Sequence, residues 1–298
     1  MDIIINLYKP RDITSHDAVS KVKRILKAKK VGHAGTLDPM ATGVLIICVN
    51  RATRLASYFS DHDKEYRAVM KLGEATDTQD AYGAIIEKKG PLDIDEENIK
   101  NALLSLKGTI LQNPPMFSAL KHKGTPLYKL ARKGIEVERR AREITIREIE
   151  LLDIDLPFVT FMTVCSKGTY IRTICDDVGK KLGTGAHLFQ LERTAVGDFH
   201  ISNSATIEEL DADKEKIALK GIYSMDEALA WMPEVKINAS LVGSVKNGAP
   251  LRVDQCNISS HDLQSAKGIR IKSPENKLLA VGIYSQEKDV IRMNVVIA

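Results

Sequence analysis

The chain has 298 residues, 44% of them hydrophobic, with a single Trp and a formal net charge of only +4. That is long enough for a sizeable core in one large domain plus a smaller one, or in two medium ones. No apolar run approaches the roughly 18 residues of a membrane span, and the four widely spaced cysteines form no C-x-x-C pair for a structural zinc or a disulfide framework. The opening MDIIINLYKPRD lacks a basic n-region and a long apolar core, so no secretion signal is expected, and reduced thiols fit a cytoplasmic protein.

In chain order, Thr14-Ser15-His16-Asp17 has the form of a helix N-terminus. Val19, Val22, Ile25 and Leu26 follow at helical spacing, with lysines on the remaining face. Residues 32–43 read GHAGTLDPMATG, a glycine-shaped loop before the apolar run Val44–Val49, which is consistent with a buried strand. From Tyr66, alternation of Ala68, Met70 and Leu72 with charged and branched residues predicts a half-buried strand. A helix is expected over Asp95–Leu106 and a strand over Phe158–Cys165. The stripe Ile171, Ile174, Val178 and Leu182 predicts a helix that stops at Gly183.

Strand and helix signals interleave without a regular βαβ period, which points to an α+β fold with a largely antiparallel sheet. Past Trp231-Met232-Pro233 the chain breaks into short β-rich pieces (236–237, 268–272, 278–284, 290–297) between Gly, Pro and Asn turns. A small β-rich domain is therefore expected over 234–298, after a larger one over 1–233.

Charge is unevenly spread. Lys21–Lys30 holds six basic residues and no acid, and Lys121–Arg142 holds eight basic residues against Glu136 and Glu138. Acids gather in 93–97 and 208–215. Either run alone reads better as a solvated helix face, but two basic runs on a near-neutral chain together favour a one-sided positive surface for a polyanion such as nucleic acid.

Asp38-Pro39 has two readings. Asp is a favoured N-cap and Pro is preferred at the first helical position, so the pair can simply start a helical turn. A carboxylate on a rigid glycine-rich loop is also a place where a catalytic group can sit, although the pair by itself favours the structural role. His33 is a loop histidine with no partner carboxylate at useful spacing and no H-x-x-H, so a metal mechanism finds no support. The glycines match neither a phosphate-binding loop nor a dinucleotide fingerprint. In SKGTYIR (166–172), Arg172 is either an exposed helix-start arginine or a fork that pairs with a buried carboxylate or a phosphate.

Several long blocks resemble the TruB-type tRNA pseudouridine synthases in family order: Lys9-Pro10 with Thr14-Ser15, then GHAGTLDPMATGVL (32–45), Lys64-Glu65-Tyr66, GEATDTQDAYG (73–83), NPPMFSALKHKGTPLYKLARKG (113–134), CSKGTYIRTICDDVG (165–179) and GAHLFQLERTAVGDF (185–199). The segment 234–298 resembles the PUA-type RNA-binding domain of the bacterial members. The resemblance implies a pseudouridine synthase fold: a mixed, largely antiparallel sheet flanked by helices, plus a PUA-like domain. It implies an isomerase that converts a T-loop uridine of tRNA, position 55, to pseudouridine with no metal or organic cofactor. Asp38 is then the catalytic aspartate and Arg172 its partner. Tyr66 stacks on the flipped base, Tyr170 and Leu191 line the pocket, and His33 enters the space the base leaves. The basic runs would follow the phosphates of the T-stem and loop. No membrane and no obligatory protein partner are expected, and no long exposed apolar stripe demands a dimer, so a monomer is expected.

The resemblance also marks two departures: Asp12 stands where the family usually has glycine, and Glu192 where a second basic residue is common. Two other roles fit the same features. An RNA-binding or RNA-remodelling protein would use the basic runs and the tail with the pocket secondary. A relative of the guide-RNA-dependent dyskerins shares the Asp loop, but the bacterial-style spacing and short tail favour a stand-alone enzyme.

Overall fold

The computed structural model describes residues 1–89, 93–212, 220–256 and 263–297. Of the acidic stretch 208–215, residues 213–215 lie outside the described residues. A ten-stranded sheet forms the body of the protein. Across it run Ile222–Ser224, Ile3–Lys9, Thr42–Val49, Ala186–Val196, Lys64–Leu72, Phe158–Cys165, Arg142–Asp155 and Gly108–Gln112, with Val31–Ala34 and Phe199–His200 attached at the side. Its strand pairs are antiparallel except where Thr42–Val49 meets Ala186–Val196. That junction pairs Glu192 with Thr42 and Arg193 with Gly43. The mixed, largely antiparallel sheet expected from sequence is what forms.

Helices cover one face because their apolar stripes match it. The Ser15–Ile25 helix is opened by a reciprocal capping box between Thr14 and Asp17 and buries Ala18, Val19 and Val22. Asp95 caps the Glu96–Leu104 helix, which buries Ile99 and Leu103. The Ile171–Leu182 helix buries Ile171, Ile174 and Val178 and stops at Gly183, whose φ of 70° is the left-handed conformation glycine adopts without a Cβ penalty. These residues share a single apolar cluster with Leu37, Met40, Tyr66 and Leu191, so the loop that carries Asp38 is rooted in the main core.

A second, five-stranded sheet runs in the order Glu234–Lys236, Ile269–Lys272, Leu278–Ser285, Val290–Val296, Leu251–Arg252. The two-residue strand Leu251–Arg252 was not legible in the sequence, since two residues show no alternation. Val281 and Ile297 of this part share an apolar cluster with Leu55, Phe59, Phe199 and Met232 on the far face of the main sheet. All four cysteines are free, and Cys48, Cys165 and Cys175 are buried.

Candidate active site

Val31–Ala34 and Thr42–Val49 pair as a hairpin, with Ala34 opposite Ile46, and Asp38 sits in the loop between them. No helix begins at Asp38-Pro39. The Asp38 main-chain carbonyl closes a tight turn by accepting from Ala41 N at 3.0 Å, which leaves its carboxylate free to pair elsewhere. Among the described residues the Asp38 carboxylate caps no helix, and its ion-pair partner is Arg172.

Three anchors fix this loop. Ser15 Oγ donates to the Leu37 carbonyl at 3.0 Å and accepts from Leu37 N at 2.9 Å. The fully buried Lys9 donates through Nζ to the carbonyls of Pro10 (2.8 Å), Ile13 (2.9 Å) and Pro39 (3.3 Å). Burial lowers the Lys9 ammonium to about 8, with the charge of Asp38 opposing the fall. Asp12 N donates to the Pro39 carbonyl at 2.9 Å, and Asp12 holds φ at 65°. The turn that glycine would ease is thus kept by an aspartate, a residue that tolerates this region better than most, and Asp12 accepts a hydrogen bond from the Tyr82 hydroxyl.

Arg172 approaches from the first turn of the Ile171–Leu182 helix. Its Nε lies 2.9 Å from Asp38 Oδ2, and its side chain is only 4% exposed against 37% for Asp38. Its other donors reach the carbonyls of Thr78 (Nη1, 3.1 Å) and Phe117 (Nη2, 2.9 Å), and Nη1 lies 3.5 Å from Asp80 Oδ2. The fork reading holds, and the exposed helix-start reading does not. Asp80 is itself held: its Oδ1 accepts from Thr78 Oγ1 at 2.6 Å and from Tyr82 N at 3.0 Å.

Protein around the Asp38 carboxyl pushes it up from its ordinary value and the charge of Asp80 adds to the rise, while Arg172 and Lys9 pull it back. The expectation that Arg172 keeps Asp38 ionised captured one side of that balance. Over a third of the Asp38 side chain nevertheless remains exposed to solvent.

Of the other expected residues, Tyr66 and Tyr170 lie within reach of the Asp38 charge, whereas Leu191 lines a cavity whose walls include neither Asp38 nor Arg172. Tyr66 is buried on the Lys64–Leu72 strand, and burial raises its hydroxyl while Arg193 opposes the rise. Tyr170 precedes the arginine helix and is clasped by Gln112: Tyr170 N donates to Oε1 at 2.8 Å, and Nε2 donates to the Tyr170 carbonyl at 3.1 Å. Both tyrosines feel the charge of Asp38. Leu191 and Met40 line a cavity of about 340 Å³ together with Arg11, Arg67 and Glu192. His33 lies two residues before Gly35, and no hydrogen bond or ion pair joins it to Asp38 among the described residues. Its Nδ1 is buried without a partner, and burial, with Arg193 and His16 nearby, lowers its pKa, which favours the neutral ring.

Sequence reasoning did not single out Lys9, Asp80, Gln112 or Arg193. Lys9, Asp80 and Arg193 all lie within the blocks that resemble the family but carry no local signal of burial. Gln112 and Arg193 reach their partners across 58 and about 150 residues, which no spacing rule anticipates.

Residues 23–171 match the family model described as TruB family pseudouridylate synthase (N terminal domain), and residues 172–230 match that described as tRNA pseudouridylate synthase B C-terminal domain. The chain belongs to the TruB family of pseudouridylate synthases. It is an isomerase, a pseudouridine synthase. It is similar to a tRNA pseudouridine synthase B of Clostridium tetani, 47% identical over 85% of this chain and 86% of that one. The corresponding protein of Clostridium kluyveri is 43% identical over 95% of this chain and 96% of the relative. Among solved structures, the chain resembles a component of a Cbf5-Nop10-Gar1 complex, with a TM-score of 0.76 and 29% identity, over 99% of this chain and 85% of that one. A second is an H/ACA RNP bound to a substrate RNA containing 2'-deoxyuridine, with a TM-score of 0.73 and 28% identity, over 99% of this chain and 85% of that one. In this TruB-family chain the boundary between the two family models falls between Ile171 and Arg172, so the carboxylate and its arginine come from different matched segments.

Proposed function

We propose that this protein converts uridine 55 in the T-loop of tRNA to pseudouridine, with Asp38 as the nucleophile. The observation that carries the reading is the Asp38–Arg172 pair: an open carboxylate on an anchored loop, aimed by a buried guanidinium. Attack at the sugar C1′ or the ring C6 lets the C1′–N1 bond break. The base then turns, a C1′–C5 bond forms as the bond to Asp38 is released, and the proton that C5 loses to solvent is matched by one that N1 takes up. Atoms are conserved, so the residues need no redox or group-donating cofactor, and a lone nucleophile that splits one hard step into easier ones suits the chemistry.

Tyr66 stacks on the extruded uracil near its C5, Tyr170 and Leu191 wall the pocket, and neutral His33 fills the space the base vacates. All six basic residues of 21–30 are exposed, as are those of 121–142 apart from half-buried Arg139, which suits phosphate tracking along the T-stem. Residues 1–233 form the catalytic unit in this reading, and 234–298 act as a PUA-like RNA-binding domain. Among the described residues no helix is long and apolar enough to cross a membrane; we place the protein in the cytoplasm, acting as a monomer without an obligatory protein partner.

Release of tritium from a [5-³H]uridine T-arm stem-loop tests the reading with purified protein alone. Wild type should release tritium and form pseudouridine, and Asp38→Ala should form none while its RNA affinity stays within about threefold, because the lost group acts in the chemical step. Undiminished product from Asp38→Ala sinks the assignment of Asp38. Turnover that appears only with an added guide RNA or protein would place this chain with guided enzymes instead.

A further inference from the structure

Beneath the Asp38 loop lies a guanidinium that no carboxylate neutralises. Arg193 is 1% exposed and takes part in no ion pair among the described residues. Its three nitrogens all donate to main-chain carbonyls: Nε to Val44 at 2.7 Å, Nη2 to Gly35 at 3.0 Å and Nη1 to Thr36 at 3.5 Å. Gly35 and Thr36 lead into the loop, and Val44 leads out of it. A single side chain therefore holds both flanks of the hairpin turn that presents Asp38.

The backbone of Arg193 adds two more ties. It pairs in parallel with Gly43, and on its other side it stands directly opposite Tyr66 in the antiparallel register. Burial raises the Tyr66 hydroxyl and the neighbouring charge of Arg193 opposes that rise, in surroundings that also include Cys165 and Asp38. Two residues earlier on the same strand is Leu191. A buried, unneutralised guanidinium carries a large desolvation cost, and an apolar side chain of similar volume would pack the same space without it. The fork geometry, with donors that diverge to three fixed acceptors, is what an apolar residue or a lysine lacks.

We infer that Arg193 is a positioning residue for the isomerisation: it ties the loop bearing Asp38 to the strand bearing Leu191 and holds Tyr66 against both. Nucleophile, stacking ring and pocket wall are thereby fixed as one unit. This rests on the roles given above to Asp38 and Tyr66. Arg193 touches no reacting atom; it acts through the residues that do.

The test compares Arg193→Met, Arg193→Lys and Val159→Ala with wild type under single-turnover conditions on the same T-arm RNA. Val159 is fully buried in the same main core, so its truncation serves as the stability-matched control. Arg193→Met should lower kcat about 100-fold, the scale set by a misplacement on the order of 1 Å. RNA affinity should stay within about threefold. Arg193→Lys should recover about tenfold of that loss, because one donor still reaches one flank of the loop. Val159→Ala should keep kcat within about twofold at a similar fall in Tm. If Arg193→Met does not fold, Arg193→Lys decides alone: a drop of about tenfold at unchanged affinity supports the inference, and wild-type kcat overturns it. Loss of kcat in Val159→Ala equal to that in the Arg193 variants also overturns it, since stability alone would then explain the effect. Active wild type, dead Asp38→Ala and fully active Arg193→Met would refute the role of Arg193 and leave Asp38 standing. A wild type that makes no pseudouridine refutes both.

Discussion

Arg172 and Asp38 form an ion pair of unequal partners: Nε and Oδ2 are 2.9 Å apart, yet the arginine side chain is almost wholly buried and that of Asp38 is more than one-third exposed. The arginine is the fixed half. Carbonyls of Thr78 and Phe117 and the carboxylate of Asp80 occupy its remaining donors, so its position does not depend on Asp38. Arg172→Lys keeps the charge but offers one compact ammonium where a fork spans four acceptors. We expect kcat to fall on the order of 100-fold with RNA affinity within about threefold, the pattern of a group that aims the nucleophile rather than binds RNA. Single-turnover rates and filter binding on one T-arm RNA measure both. A lysine variant with wild-type kcat would show that charge alone suffices.

The same surroundings set the acid limb of the reaction. Burial and Asp80 push the Asp38 carboxyl above its ordinary 3.8, against Arg172 and Lys9. A nucleophilic carboxylate must be ionised, so the single-turnover rate should decline, as pH falls, through a midpoint above that ordinary value. Asp80→Asn removes a neighbouring negative charge, and with it a cause of the rise, so the midpoint should move to lower pH. Rates between about pH 4 and 8 in wild type and Asp80→Asn test the sign. A midpoint that moves upward in Asp80→Asn contradicts the electrostatic account.

Gly43 shows how tightly the loop exit is pressed against the neighbouring strand. It holds φ at 102°, and a Cβ placed there would lie 2.2 Å from the Arg193 carbonyl oxygen. Neither the dihedral nor the contact can relax without parting the two strands at their parallel junction. Gly43→Ala should therefore cost on the order of 3 kcal/mol of stability, as strained backbone and overpacking add. It should also depress kcat, because the displaced strand carries the Asp38 loop. Denaturant unfolding monitored at Trp231 gives the first quantity. A variant within 0.5 kcal/mol of wild type, about the scatter of neutral surface changes, would show that the junction opens freely.

Much of this was written locally. The Thr14/Asp17 capping box, the Gly183 stop and the alternation from Tyr66 lie within a few residues of what they control, and each formed where the sequence placed it. Asp38 was legible as a candidate for the same reason: glycines, threonines and a proline crowd around it. Its choice between capping and pairing was not legible, because Arg172 decides it from 134 positions further along the chain. Lys9 and Arg193 were harder still. Nothing local distinguishes a buried lysine or arginine from a solvated one, and their burial follows from sheet register, with Arg193 set between Gly43 and Tyr66 by pairings that exist only once three strands have met.

The C-terminal strands bear on stability. Arg270 bonds Asp226 at 2.9 Å and Glu234 at 3.1 Å, and Lys272 bonds Asp226 at 2.7 Å, so charges on both sides of Pro233 interlock. Arg51 and Arg54 donate to the carbonyls of Ile297 (3.0 Å) and Val296 (2.8 Å), and Asn294 Nδ2 donates to the Tyr58 hydroxyl at 2.7 Å. Under these polar ties Val281 and Ile297 are buried in one cluster with Leu55, Phe59 and Met232. Truncation after Pro233 would uncover that face. With each buried Val or Ile side chain contributing about 1.5–3 kcal/mol, removing two of them and exposing their neighbours should cost several kcal/mol. The fragment 1–233 should show a markedly lower Tm and bind a hydrophobic dye that the whole chain does not. Unchanged melting and no dye binding would mean that the main sheet closes its core unaided.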